Sequence, residues 1–218
     1  DAGYSTALYG KWHLGDTQGR LPNDQGFDEW WGIMNSWDES GYTAWSLFKE
    51  TGEPVPMIWE GVKGQPSKPV MPLDLEVRPI VDEKYIVPKT IEYIKKNAAA
   101  KKPFFVYVGY SELHEPIMPN PNFADKSTAR SGHIADCIAE MDVRVGQILD
   151  AIKEAGIDDN TIVVFSSDNA TGGATPQDGG AANGPWRGDF FNTPWEGSYR
   201  APAMIRWPGK VPAGVVSD

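Results

Sequence analysis

Three short polar groups in this sequence carry residue types that could handle an oxyanion. Lys11 and His13, one residue apart in Gly10-Lys11-Trp12-His13, offer a fixed positive charge and an imidazole that titrates near neutrality. His114, in Glu112-Leu113-His114-Glu115-Pro116, offers a second imidazole. Asp168-Asn169 offers a carboxylate and a carboxamide oxygen, hard donors that suit calcium or magnesium better than zinc. Together they could bind an anion, move protons and hold a divalent ion. Each group alone also has a plainer explanation: a solvated surface for Lys-x-His, a loop histidine for His114, an Asx turn for Asp168-Asn169. Two oxygens do not fill a calcium shell of six or more, and no further acidic ligands stand out.

The elements that must position these residues are legible in the hydrophobic pattern. Residues 103–109 (Pro-Phe-Phe-Val-Tyr-Val-Gly) and 161–165 (Thr-Ile-Val-Val-Phe) are short, β-branched and aromatic, and apolar at successive positions, as in strands buried on both faces. Between them Ile134, Cys137, Ile138, Met141, Val145, Ile148, Leu149 and Ile152 recur at spacings of three and four, which predicts a helix over residues 130–155. Gly156 is its stop. Strand, helix, strand reads as a βαβ unit with a parallel strand pair. A shorter helix is predicted over residues 88–98, with Pro88 in its first turn. Weaker strands are predicted at 4–9 and 203–207, and residues 15–80 read as mostly irregular. The fold class is therefore α/β, a mostly parallel sheet flanked by helices and joined by long loops. Lys11 and His13 follow the first strand, His114 the second and Asp168 the third, and open parallel sheets bind ligands beyond their carboxyl ends. An extended backbone would turn Lys11 and His13 to one side.

Composition narrows the partners. Forty per cent hydrophobic residues in 218 support one sizeable core. A formal net charge of -10 without a basic run argues against nucleic acid, so the few cations must be concentrated in a cleft to hold an anion. No run of about 18 apolar residues exists that could span a membrane. The one cysteine, Cys137, falls on the apolar stripe of the long helix and reads as core. Glycines 172, 173, 179, 180, 184 and 188 lack the Gly-Lys-Ser/Thr ending of a P-loop. Trp30, Trp31 and Trp37 read as core or interface residues in preference to sugar-stacking ones. The chain starts at Asp1 without methionine and ends just past a turn-like stretch, so both ends read as cut.

Several ordered segments then resemble one family. Residues 3–15 (Gly-Tyr-Ser-Thr-Ala-Leu-Tyr-Gly-Lys-Trp-His-Leu-Gly) resemble the second sulfatase signature, and residues 21–28 resemble the segment that follows it. Residues 103–116 are similar to the sulfatase strand ending in His-x-Pro, residues 141–169 to the family's long helix and metal-binding strand end, and residues 195–202 to its Glu-Gly-Gly-x-Arg segment. The resemblance implies a sulfuric ester hydrolase of the alkaline phosphatase superfamily, with residues 1–218 as part of one catalytic domain. It implies a formylglycine nucleophile and a divalent cation, usually calcium, held in part by Asp168 and Asn169. Lys11 would hold sulfate, His13 would act as base in releasing it, and His114 would bind sulfate and protonate the leaving alcohol. The substrate would be a sulfated small molecule or carbohydrate, and the setting periplasmic or secreted. The Cys/Ser-x-Pro-Ser-Arg nucleophile motif and the earlier acidic metal pair are absent from these residues, so alone they should not turn over. The family's second sulfate-binding lysine is absent too, and Arg187 is the candidate to supply its charge. A phosphodiesterase or phosphonate monoester hydrolase of the same superfamily, or a non-catalytic binding module, are the alternatives.

Overall fold

The structure, a computed structural model, describes residues 2–129, 132–171, 184–190 and 194–216. Its strands are β1 (Ser5–Lys11), β2 (Glu29–Ile33), β3 (Met57–Val62), β4 (Lys68–Pro72), β5 (Phe104–Gly109), β6 (Val163–Ser166) and β7 (Ala203–Arg206). Its α-helices are α1 (Phe48–Thr51), α2 (Val87–Ala99), α3 (His133–Glu154) and α4 (Glu196–Tyr199). Five strands form one mixed sheet in the order β4-β3-β2-β1-β5, parallel across β2-β1-β5 and antiparallel from β2 outward to β4.

β1 is apolar at successive positions because both sheet faces are covered at its place. Ala7 and Tyr9 join Trp31, Ile33, Trp37 and Tyr93 in one core cluster, and Leu8 joins Leu21 and Trp30 in another. Trp30, Trp31 and Trp37 are buried, as expected, and the Trp30 indole donates to Asn23 Oδ1 at 2.9 Å and Ser67 Oγ at 3.0 Å. α2 lies against β1, β5 and α3. The predicted long helix, the shorter helix and all four strands are present, and Cys137 is buried.

Three expectations fail. Residues 15–80 are not mostly irregular: they supply β2, β3 and β4. β4 is a proline-bearing edge, where the missing N–H groups of Pro69 and Pro72 are tolerated. The two strands flanking α3 do not pair. β5 pairs with β1 and β6 pairs antiparallel with β7 in a sheet of its own, so the βαβ connection joins two sheets. Nor are β5 and β6 buried on both faces: Phe105 and Tyr107 are 53% and 47% exposed and Val164 is 64% exposed, although α2 packs against β5.

A row of glycines closes the parallel part of the sheet. Gly10 pairs with Gly32 of β2 on one side and Gly109 of β5 on the other. Gly10 has φ +118°, and a Cβ there would sit 1.8 Å from the Gly109 carbonyl oxygen; a Cβ on Gly32 (φ +156°) would sit 1.8 Å from the Gly10 carbonyl oxygen. Neither side chain nor conformation is open to another residue. Gly10→Ala should therefore destabilise the fold by at least about 3 kcal/mol, whereas Gly41→Ala, which meets open space, should be near neutral. Equilibrium unfolding of the two variants decides it, and equal stabilities would show that the strands do not approach this closely.

Candidate active site

Lys11 ends β1 one residue beyond the glycine row, half-buried, and its ammonium makes no hydrogen bond or ion pair among the described residues. The ladder to β2 then continues by backbone alone, with Trp12 N donating to Ile33 O at 3.0 Å and His13 N to Met34 O at 2.8 Å. His13 does not share an extended backbone with Lys11. It has φ +54°, a left-handed conformation uncommon outside glycine, because the chain turns as soon as the strand ends. Its side chain is exposed at the rim.

His114 lies in the turn after β5, the parallel neighbour of β1, so the topology carries both residues to the same carboxyl rim. The half-buried imidazole is held at both nitrogens. Nδ1 is 2.7 Å from the Glu115 carbonyl oxygen, which can only accept, so the proton is on Nδ1. Nε2 is 3.1 Å from Ser36 Oγ, whose single proton can go to the neutral ring or to Asp38. Burial, and then the positive charges of Lys11 and Arg78, push the imidazole below its ordinary range, against the pull of the Glu115 carbonyl and Asp38. The charge coupling places Lys11 and His114 in one electrostatic neighbourhood. Asp38 completes it. Burial opposes its ionisation, but hydrogen bonds from Ser36 and its own backbone, with the His114 imidazole, hold its carboxyl below the usual range.

Ser36 and Asp38 escape sequence reading, since a lone serine and an acid in a stretch read as irregular give no signal. Placing β2 correctly would have found them, because Ser36 follows the carboxyl end of β2 by three residues.

Asp168 and Asn169 follow β6. Burial, and then the Asp168 charge, push the Tyr107 hydroxyl upward, which brings the carboxylate near β5. Asn169 donates from Nδ2 to Ala170 O at 2.6 Å, leaving Oδ1 as the amide's outward acceptor, and the exposed Asp168 carboxylate makes no hydrogen bond among the described residues. Two uncommitted hard oxygens at a strand end fit a calcium or magnesium ion, with the remaining ligands to come from elsewhere. A second group, Asp125, His133 and Asp136, brings its ligand atoms within 4.8 Å of one another. Its Asp136 oxygens are already taken by the backbone N–H groups of Asp125, Lys126 and Ser127 at 2.9, 3.2 and 2.7 Å. His133 is exposed beside Asp125.

Arg187 stacks its guanidinium 4.0 Å above the Trp195 ring, and its carbonyl accepts from Gly197 N at 2.9 Å. No described contact joins it to Lys11 or His114. The glycines at 172, 173, 179 and 180, and residues 191–193 of the stretch read as lacking a lysine, lie outside the described residues.

Comparison with known proteins gives a consistent result. The sulfatase family model matches residues 1–218. N-acetylgalactosamine-6-sulfatase of Canis lupus familiaris is 32% identical over 217 residues, 100% of this chain and 40% of the relative, and arylsulfatase G of Mus musculus is 30% identical over 236 residues, 99% and 44%. The PsFucS1 sulfatase of Pseudoalteromonas sp. superposes with a TM-score of 0.86 at 29% identity, over 97% of this chain and 44% of that one. Ps i-CgsB in complex with k-i-k-neocarrahexaose gives 0.70 at 26% identity, over 97% and 46%. The chain thus spans about two-fifths of the length of the curated relatives it matches.

The neighbours of His114 predict its titration. Followed by histidine-selective NMR, its ring should protonate below the 6.5 of a free imidazole. Lys11→Met removes a positive charge and should raise that value; Asp38→Asn removes a negative one and should lower it further. No response to Lys11→Met would separate the two residues.

Proposed function

This chain belongs to the sulfatase family, and we propose that the full protein hydrolyses sulfate esters, with sulfated carbohydrates as its substrate class. The observation that carries the reading is the uncommitted, half-buried Lys11 ammonium beside an imidazole tethered at both nitrogens, on the rim formed by β1 and β5. Support for carbohydrate comes from the relatives: one is an N-acetylgalactosamine-6-sulfatase, and one solved neighbour holds a neocarrahexaose.

Lys11 attracts the sulfate ester anion in a protein whose net charge of -10 would otherwise repel it. A calcium or magnesium ion held by Asp168, Asn169 and further oxygens would polarise the sulfate oxygens. The attacking oxygen is expected from a formylglycine, whose Cys/Ser-x-Pro-Ser-Arg motif is not among these residues. His114 keeps Nδ1–H on the Glu115 carbonyl, and Nε2 carries the proton passed to the leaving alkoxide. His13, exposed on the same rim, is the base proposed to release sulfate from the enzyme. Arg187 remains a candidate second cation, once its stacking on Trp195 is exchanged for the substrate anion.

The acid role fixes the sign of a pH effect. An imidazole that must be protonated loses activity as pH rises through its pKa. The free site, where that value is depressed, governs kcat/KM, and the occupied site, where the sulfate charge restores it, governs kcat. With an alkyl sulfate, the alkaline limb of kcat/KM should therefore lie at lower pH than that of kcat.

Assay of the full protein on 4-nitrophenyl sulfate tests the whole reading. Turnover should disappear on chelation and return with calcium, and Lys11→Ala should lower kcat/KM by about 10²–10³-fold. Turnover of paired phosphate esters with none of any sulfate ester would replace it.

A further inference from the structure

The turn that carries His114 is gripped from behind by two charged side chains with almost no exposed surface. Arg78 is 0% exposed and Asp82 is 1% exposed. They lie four residues apart on one continuous helical stretch, a 3-10 turn over Arg78–Ile80 followed by a π-helical turn over Asp82–Ile86. Asp74 anchors the start of that stretch through Oδ1, which accepts from Glu76 N at 3.0 Å and Val77 N at 2.9 Å.

Every hydrogen bond that the two charged groups make ends on the same turn. Arg78 Nη1 donates to Ser111 Oγ, and Nη2 donates to the carbonyl oxygens of Ser111 and His114, each at 2.7 Å. Asp82 accepts from Ser111 N at 3.1 and 3.2 Å, from Ser111 Oγ at 2.7 Å and from Glu112 N at 3.3 Å. Ser111 Oγ accepts from the arginine and donates to the aspartate, so one hydroxyl ties the pair together. The turn closes through His114 N to Ser111 O at 3.2 Å.

A core-filling role does not call for this arrangement. Burying two charges is expensive, and an apolar pair of similar volume would pack a core at least as stably. What the charges accomplish is to fix a backbone that would not hold itself. Leu113, between Ser111 and His114, has φ +22° and is 39% exposed, so its own side chain does not anchor the conformation. A residue so placed persists only where its surroundings over-determine it. The planar guanidinium serves three acceptors at 2.7 Å from two nitrogens, Nη1 on Ser111 Oγ and Nη2 on the Ser111 and His114 carbonyls, a fork that a lysine's single nitrogen cannot reproduce.

We propose that Arg78 and Asp82 are positioning residues for the reaction: they hold the Ser111–His114 turn so that the His114 imidazole faces Ser36 and Lys11 with its proton fixed on Nδ1. The inference rests on the reading of His114 as the acid that serves the leaving alcohol. Neither residue touches substrate. They act through the backbone of the residue that does.

The test measures leaving-group dependence in the full protein, with 4-nitrophenyl sulfate as the activated ester and a primary alkyl sulfate as the unactivated one. His114→Ala is the reference and should slow the alkyl ester by about 10²-fold or more, and the aryl ester far less. Arg78→Lys should lower kcat on the alkyl ester by about tenfold, with KM and the aryl rate within about threefold, and should add little once His114 is already alanine. Ser111→Ala, which deletes a single hydroxyl, should show the same selectivity more weakly and keeps the test open if Arg78→Lys does not fold. Equal losses on both esters, or losses that add in full to that of His114→Ala, overturn the proposal. Should His114→Ala itself show no leaving-group selectivity, the acid role falls instead. The clamp is then judged by the imidazole nitrogen shifts: a mixed tautomer in Arg78→Lys upholds it, and an unchanged Nδ1–H form overturns it.

Discussion

The connection between β5 and α3 contains no regular element among its described residues, and several of its N–H groups take carboxylates from elsewhere as acceptors. Asp82 takes those of Ser111 and Glu112, Glu140 takes that of Asn120 at 2.7 Å, and Asp136 takes those of Asp125, Lys126 and Ser127. A buried N–H without a partner costs about 1–3 kcal/mol, and bonds to a charged acceptor are stronger than neutral ones. The carboxylates need compensation of their own. Glu140 has Arg144 at 3.0 Å, and Asn120 reaches Glu83 at 3.1 Å, which lies 3.5 Å from Arg144. Ionic contacts therefore hold the loop that delivers His114.

On the opposite side of the rim the constraint is steric. The glycine row lets β2, β1 and β5 converge just before Lys11, and the turn at His13 begins where that convergence ends. Backbone positions fix the place of the ammonium, while ionic contacts fix the place of the imidazole. The two devices meet at the electrostatic coupling of Lys11 with His114.

Much of this is legible in the sequence, and the part that is not has an identifiable cause. Periodicity finds α2, α3, β1 and β5 because their apolar residues follow the regular spacing of a buried face. It misses β2, β3 and β4 because tryptophans, glycines and prolines dilute the strand pattern. It also misassigns part of α3. Ile138 lies on the predicted apolar stripe and is 48% exposed, whereas Asp136, Glu140 and Arg144, which are not part of that stripe, are buried. The rule that charged residues face water fails where a helix must satisfy a loop as well as fill a core. The same rule hides Arg78 and Asp82. Lys11, His13, His114, Asp168 and Asn169 are recognisable by residue type and by following strands, which requires no knowledge of the sheet order.

The electrostatics of the rim bear on when His114 can act. In the free site its ring is partly dehydrated and faces two guanidinium or ammonium charges against one carboxylate, so the neutral form is favoured and Nε2 is open to accept from Ser36. In the proposed reaction, a sulfate ester would bring the opposite sign into the same low-dielectric setting. Its charge would be attracted by Lys11 and would at the same time make protonation of Nε2 less costly. Under the proposed acid role, binding the anion would therefore favour the protonated ring. Such coupling would need the ring, the lysine and the anion to share one small volume, a placement that the 2.7 Å contacts behind His114 would help to fix.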